Sequence, residues 1–120
     1  MTVLDASAVL AFLTGESGAD VVEPHLAGSV IGAANFCEVL GRFPNATEAV
    51  FADALLESLG VRVEPVTVMD ARRATRLLEA NPSLSLGDRL CLSLAERLDD
   101  VVLTADRAWG SSDLIRQIRP

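Results

Sequence analysis

The chain has 120 residues, half of them apolar, and a formal net charge of −7; it contains no lysine, and all ten of its cationic residues are arginines. That length bounds a single domain over 1–120 with one core, and the apolar share excludes general disorder. The acidic balance excludes a plain basic patch for nucleic acid, but not an enzyme whose metal ions supply positive charge at the site.

Thr2-Val3-Leu4 reads as a short buried strand, apolar enough for the centre of a parallel sheet, and Asp5 stands where that strand gives way to a helix. In open α/β sheets, ligands bind at this carboxyl edge. Ser7 is placed to cap a helix running to Thr14, which Gly15 ends. The apolar run over 8–13 is too short to cross a bilayer, and no basic residue precedes it, so neither a membrane anchor nor a signal peptide is expected. Ser17 or Gly18 opens a short helix through Val22 toward Leu26, in which Pro24 fits only in a first turn. His25 has no His or Cys near it and reads as a surface residue.

A second strand is predicted over 29–31, then a helix over 34–43 stopped by Pro44. Asn35 and Glu38 share a face of that helix. Arg42, four residues after Glu38, either pairs with it at the surface or meets a ligand. The segment 46–59 is an amphipathic helix with Val50, Leu55, Leu56 and Leu59 as its core stripe and Gly60 as its stop. Residues 61–66 alternate as a third strand, and Pro65 places it at an edge. Asp70 caps or begins a helix over 68–79, which Asn81-Pro82 breaks.

The stretch 83–98, SLSLGDRLCLSLAERL, reads as a long helix with Asp88 in its first turn, where the helix dipole favours a carboxylate. Leu90, Leu94 and Leu98 form its apolar row. Cys91 on this helix and Cys37 on the earlier one lie at no metal-ligand spacing and read as reduced core thiols of a cytoplasmic protein. A buried strand over 101–103 leads into Thr104-Ala105-Asp106, which repeats the arrangement around Asp5. A last short strand is predicted over 114–118. The order of elements describes an α/β fold with a central parallel sheet of about four or five strands flanked by helices.

Each acid alone is an ordinary helix cap or first-turn residue. Two acids at strand ends, one at a helix start and one on a helix beside Asn35 form a set, because a doubly wound sheet brings its strand ends to one edge. Carboxylates gathered there repel one another, so at least one of the four is expected to hold its proton above the ordinary carboxylate range. A hard divalent cation with oxygen ligands relieves that repulsion. Carboxylate-bound Mg²⁺ or Mn²⁺ is the machinery of phosphodiester hydrolysis.

Four segments, VLDASAVLAFL, NFCEVLGRF, SLGDRLCLSLAERL and VVLTADRAW, resemble in order and spacing the PIN-domain ribonucleases, and among them the VapC-type toxins of type II toxin–antitoxin pairs. The resemblance covers essentially the whole chain. It implies a PIN-like α/β/α sandwich and an Mg²⁺- or Mn²⁺-dependent endoribonuclease acting on structured RNA such as tRNA or ribosomal RNA. It also implies a cytoplasmic homodimer inhibited by a cognate VapB-type antitoxin. By position, the resemblance makes Asp5, Glu38, Asp88 and Asp106 the catalytic, metal-holding quartet and Ser7, Asn35 and Thr104 its polar support. Arg42, Arg89 and Arg107, each beside or near an acid of the set, are candidates for substrate contact or for pairing with those acids. An inhibitor is expected on the apolar surface of the helical pair over 34–59. Two other classes share features with this chain. A phospho-acceptor signalling domain has acids at strand ends, but needs a lysine that is missing here. A PIN domain that only binds a partner would not need all four acids.

Overall fold

The first strand, β1 (Val3–Leu4), is buried on both faces, as a strand without polar alternation must be. In the computed structural model, which describes residues 1–120, it takes the middle of a five-stranded sheet. The other strands are β2 (Val30–Gly32), β3 (Arg62–Glu64), β4 (Val102–Thr104) and β5 (Ile115–Gln117), in the order β3-β2-β1-β4-β5, every neighbour parallel. Val3 lies beside Val30 and Val102, and Leu4 beside Ile31 and Leu103. Because successive side chains point to opposite faces, these rows become two separate cores.

The Leu4, Ile31 and Leu103 row packs under α1 (Ala6–Thr14), α2 (Ala19–Val22), α3 (Ala33–Leu40) and α4 (Ala46–Ser58), through Val9, Val22, Val39 and Leu56. The Val3, Val30 and Val102 row packs under α6 (Leu86–Leu98), through Cys91, Leu94 and Ala95, with Trp109 beside them. The remaining helix, α5 (Val68–Ala80), lies against α6. Each fully buried Leu or Ile of these rows contributes roughly 1.5–3 kcal/mol of apolar transfer. This is the sandwich of helices on both faces of a parallel sheet that the element order predicts. The parallel direction delivers the carboxyl ends of all five strands to one edge.

Several local expectations needed correction. Helix α3 ends at Leu40, and tight turns carry the chain through Phe43, since the residue before Pro44 is biased away from helical geometry. Its inward residues are Asn35 and Val39, so Cys37 lies exposed on the outer side and only Cys91 is a core thiol. On α4 the buried residues are Ala52 and Leu56, while Val50 is 68% and Phe51 72% exposed, so Val50 does not belong to the core stripe. Pro24 sits in the first turn of a 3₁₀ segment, Glu23–His25, that continues α2. His25 is half-buried, its Nδ1 3.3 Å from Thr2 Oγ1. Strand β3 is shorter than the alternation over 61–66 predicts, and it is an edge strand with Pro65 just outside it.

Candidate active site

Asp5 ends β1 and is the N-cap of α1. Its Oδ1 accepts the Ala8 N–H at 2.8 Å, the local bond that starts the helix. Ser7 Oγ donates to the same carboxylate at 2.8 Å, and Thr104 Oγ1, at the end of neighbouring β4, donates to Oδ2 at 2.6 Å. Both hydroxyls are oriented from behind, because Ser7 Oγ accepts Ala105 N–H and Thr104 Oγ1 accepts Asp106 N–H. Asp5 is 4% exposed. Burial is the largest influence on it and raises its pKa from 3.8 to about 6; the bonds from Thr104, Ala8 and Ser7 pull the other way, and the charge of Asp88 adds a small push upward. The expected raised carboxyl is therefore present, but desolvation is its main cause and repulsion within the set the least of the contributions.

The other three acids come from three further elements. Glu38, on α3, accepts from Asn35 Nδ2 at 2.9 Å through Oε1; the same amide donates to the Gly87 carbonyl at 3.1 Å and ties α3 to the start of α6. Asp88 forms a reciprocal capping box with Ser85 at that start. Asp106, past β4, caps a 3₁₀ turn by accepting Ala108 N–H at 2.9 Å. All four carboxylates, with Ser7 and Asn35, line one pocket of about 540 Å³ at the carboxyl edge of the sheet; Thr104 lies beneath it. Cys91, buried under this floor, has its thiol pKa raised, first by burial and then by the charges of Asp5, Asp88 and Glu38.

None of the four acids has an arginine within ion-pair distance. The donor set is all oxygen, the chemistry of a hard divalent cation. No three of the acids converge into a ready-made cage. They suit an ion of the Mg²⁺ type, which keeps much of its water and takes one or two carboxylates together with substrate phosphate.

The three sequence-derived arginines separate. Arg42 lines the pocket, exposed, without an ion-pair partner, so the surface pair with Glu38 is absent. Arg89 turns away and donates to the Ala74 carbonyl of α5 at 2.9 Å. Arg107 donates to the Pro120 carbonyl. Neither of the last two lines the pocket.

Sequence reasoning missed Gly87, Glu16 and Arg119. A Cβ at position 87 would stand 2.5 Å from Glu38 Oε1, so only glycine lets that carboxylate lie against the helix start. A glycine inside the first turn of a helix is unfavourable and asks for a reason, which is a usable signal. Glu16 and Arg119 belong to a turn and to the segment after β5, and no local pattern marks them.

A family model described as "PIN domain" matches residues 2–111. Ribonuclease VapC42 of Mycobacterium tuberculosis is 31% identical, with 93% of this chain and 95% of the relative aligned. Among solved structures, a toxin–antitoxin complex from Klebsiella pneumoniae has a chain that superposes with a TM-score of 0.85 at 14% identity, covering 98% of both chains. VapC20 of Mycobacterium tuberculosis, a sarcin–ricin loop cleaving toxin, superposes with a TM-score of 0.72 at 18% identity over 100% of both.

Proposed function

The chain belongs to the PIN-domain family, and from that premise we propose that it is a divalent-metal-dependent endoribonuclease of the VapC type, the toxin of a toxin–antitoxin pair. The observation that carries this reading is that Asp5, Glu38, Asp88 and Asp106, from four separate elements, line one pocket, and none of the four is paired with an arginine. The relative at 31% identity is named a ribonuclease, which supports the same chemistry.

Asp5, Asp88, Asp106 and Glu38 are the residues that would hold Mg²⁺ or Mn²⁺. When bound, such an ion polarises the phosphate and acidifies a water. Ser7 and Thr104 keep the Asp5 carboxylate fixed in its buried place, with both oxygens engaged by hydroxyls. Asn35 engages Glu38 Oε1 and leaves Oε2 free to take the proton of the attacking water. As the new P–O bond forms, the scissile P–O bond breaks and its departing oxygen takes up a proton from solvent, giving one phosphate end and one hydroxyl end, while Glu38 returns its proton to solvent. Arg42, exposed in the lining of the same pocket, meets the incoming RNA.

The antitoxin covers the helical pair over 34–59, chiefly along α4. Val50 and Phe51 are exposed on α4, and a groove of about 440 Å³ there is lined by Leu13 of α1, by Phe43 after α3, and by Phe51 and Leu55 of α4. The structural neighbour from Klebsiella pneumoniae is a toxin–antitoxin complex, which supports a partner of this kind. As the resemblance implies, the toxin acts as a homodimer in the cytoplasm. No helix is long and apolar enough to cross a membrane.

The test is induced expression followed by sequencing of cleaved RNA ends, with wild type and Asp88→Asn side by side. Discrete cuts in tRNA or ribosomal RNA by wild type alone support the reading. Identical RNA ends from both proteins would contradict it. A complex with the antitoxin whose contacts all avoid α3 and α4 would contradict the docking face.

A further inference from the structure

The pocket contains a fifth carboxylate and a second arginine outside the acidic quartet, Glu16 and Arg119. Arg119 arrives there by topology. Strand β5 is parallel to β4, so the chain leaves it at the same sheet edge as Thr104 and Asp106, and Ile118 N–H continues the ladder to the Thr104 carbonyl at 2.9 Å. Ile118 then packs against the turn before α2. Gly18 there has φ +97°, and a Cβ on it would stand 2.7 Å from the Ile118 side chain. That close approach sets Arg119 beside the turn. Its Nε donates to the Ser17 carbonyl at 2.7 Å and its Nη2 to Glu16 Oε2 at 3.4 Å.

A guanidinium has five N–H donors. Two are used in orienting Arg119, and the others have no protein acceptor while the side chain lines the pocket. The Glu16 carboxylate is 58% exposed and its contact is long, so it orients the group more than it neutralises it. Arg89 and Arg107, by contrast, point their guanidinium groups at backbone carbonyls outside the pocket. A polyanionic strand entering a pocket of five carboxylates needs fixed positive charge to hold its register, and planar forks suit phosphate oxygens.

We infer that Arg119, held by Ser17 and Glu16, is a residue that binds a backbone phosphate of the RNA strand, the pre-oriented counterpart of the free Arg42 in the same pocket. This rests on the nuclease reading and adds a substrate contact to it. Arg119 binds a backbone phosphate and sets the strand's register; it takes no part in proton transfer.

The experiment uses the full chain in millimolar Mg²⁺ and a short fluorescein-labelled single-stranded RNA. Anisotropy is read before turnover over a series of KCl concentrations. Arg119→Gln weakens binding about tenfold and lowers the slope of log Kd against log salt by about 0.7, the signature of one lost phosphate contact on a single strand. Arg119→Lys restores the slope but only part of the affinity, because it keeps the charge and loses the fork. Arg72→Gln, an equal loss of charge at an exposed site on α5, changes neither quantity. If Arg119→Gln matches Arg72→Gln in both affinity and slope, the inference is overturned. Cleavage read in the same samples, with Asp5→Asn alongside, bears on the nuclease reading alone: wild-type rates in Asp5→Asn would overturn that reading whatever Arg119 does.

Discussion

Helices α5 and α6 begin in the same way and serve different ends. Thr67 with Asp70, and Ser85 with Asp88, form matching capping boxes that satisfy the free N–H groups at each start. Beyond the box the two carboxylates part. Asp70 is buried, and Arg97 grips both its oxygens, at 2.9 and 3.1 Å. Burial pushes the Asp70 pKa up, but the Arg97 and Thr67 bonds and the Arg97 charge outweigh it, and the net shift is downward. Asp88 has no arginine and faces the pocket. Asp5 carries the difference further: set deeper in the protein, and bonded only to hydroxyls and a backbone N–H, it is raised to about 6, chiefly by burial. A structural acid in this protein has its own counter-ion built in. The four acids of the quartet have theirs withheld, which leaves the charge for a ligand to satisfy.

Removing one charge from each side is the strongest way to break this contrast. Asp5→Asn keeps a side chain able to cap α1, so the fold persists, yet RNA cleavage falls by about 10²-fold or more. Asp70→Asn does the reverse. Arg97 loses its charged partner, stability falls by roughly 1–2 kcal/mol after allowance for a partly exposed arginine, and the cleavage rate below the melting point is unchanged. Chemical denaturation and initial rates on both variants check this. A large loss of activity in Asp70→Asn, or none in Asp5→Asn, would erase the distinction.

The pH dependence separates the same two residues by sign. Asp70, with its pKa lowered, contributes stability that is present above the ordinary aspartate value and is lost as pH falls through the folded-state value beneath it. Asp5, with its pKa raised, contributes stability that is full below 3.8 and is lost as pH rises through about 6. The shift corresponds to on the order of 3 kcal/mol. Without divalent ions, Asp5→Asn is therefore more stable than wild type at neutral pH, and the difference shrinks toward pH ~4. Urea midpoints across that range give the comparison; a constant difference would remove Asp5 as its source.

Gly87→Ala gives a smaller and sharper effect. Alanine is the better helix former by about 0.5–1 kcal/mol, and the atom its Cβ meets is the movable end of Glu38. The variant is expected to melt at or above wild type while its turnover drops severalfold, since Glu38 must leave its place beside Asn35. Unchanged turnover would show that Glu38 works from elsewhere.

The fold was legible because its three central strands are short, apolar and separated by helices. An unbroken Val3-Leu4 run means burial on both faces, and Pro65 marks an edge. Val50 and Cys37 were misread for a common reason: an apolar or sulfur side chain on a helix gives no sign of whether anything packs over it. The acids were legible as a set through their recurrence at strand ends and helix starts. Their electrostatics were not, because Asp70 and Asp88 have the same local pattern and differ only in Arg97, which is distant from Asp70 in sequence. Arg119 was hidden for the same reason. Its role depends on where the chain after β5 is delivered, and on Gly18 leaving room for Ile118.

The most direct test of the withheld counter-ion is the melting temperature of wild type, Asp88→Asn and Asp70→Asn at ~pH 7.5, each with chelator and with millimolar Mn²⁺. A cation that binds only the folded state adds about 2.7 kcal/mol at a hundredfold excess over its Kd. Wild type and Asp70→Asn are expected to rise by several degrees and Asp88→Asn by little or nothing, although both variants lose the same carboxylate from the same capping motif. Equal rises in all three proteins would contradict this expectation, because the ion would then be held without the pocket acid.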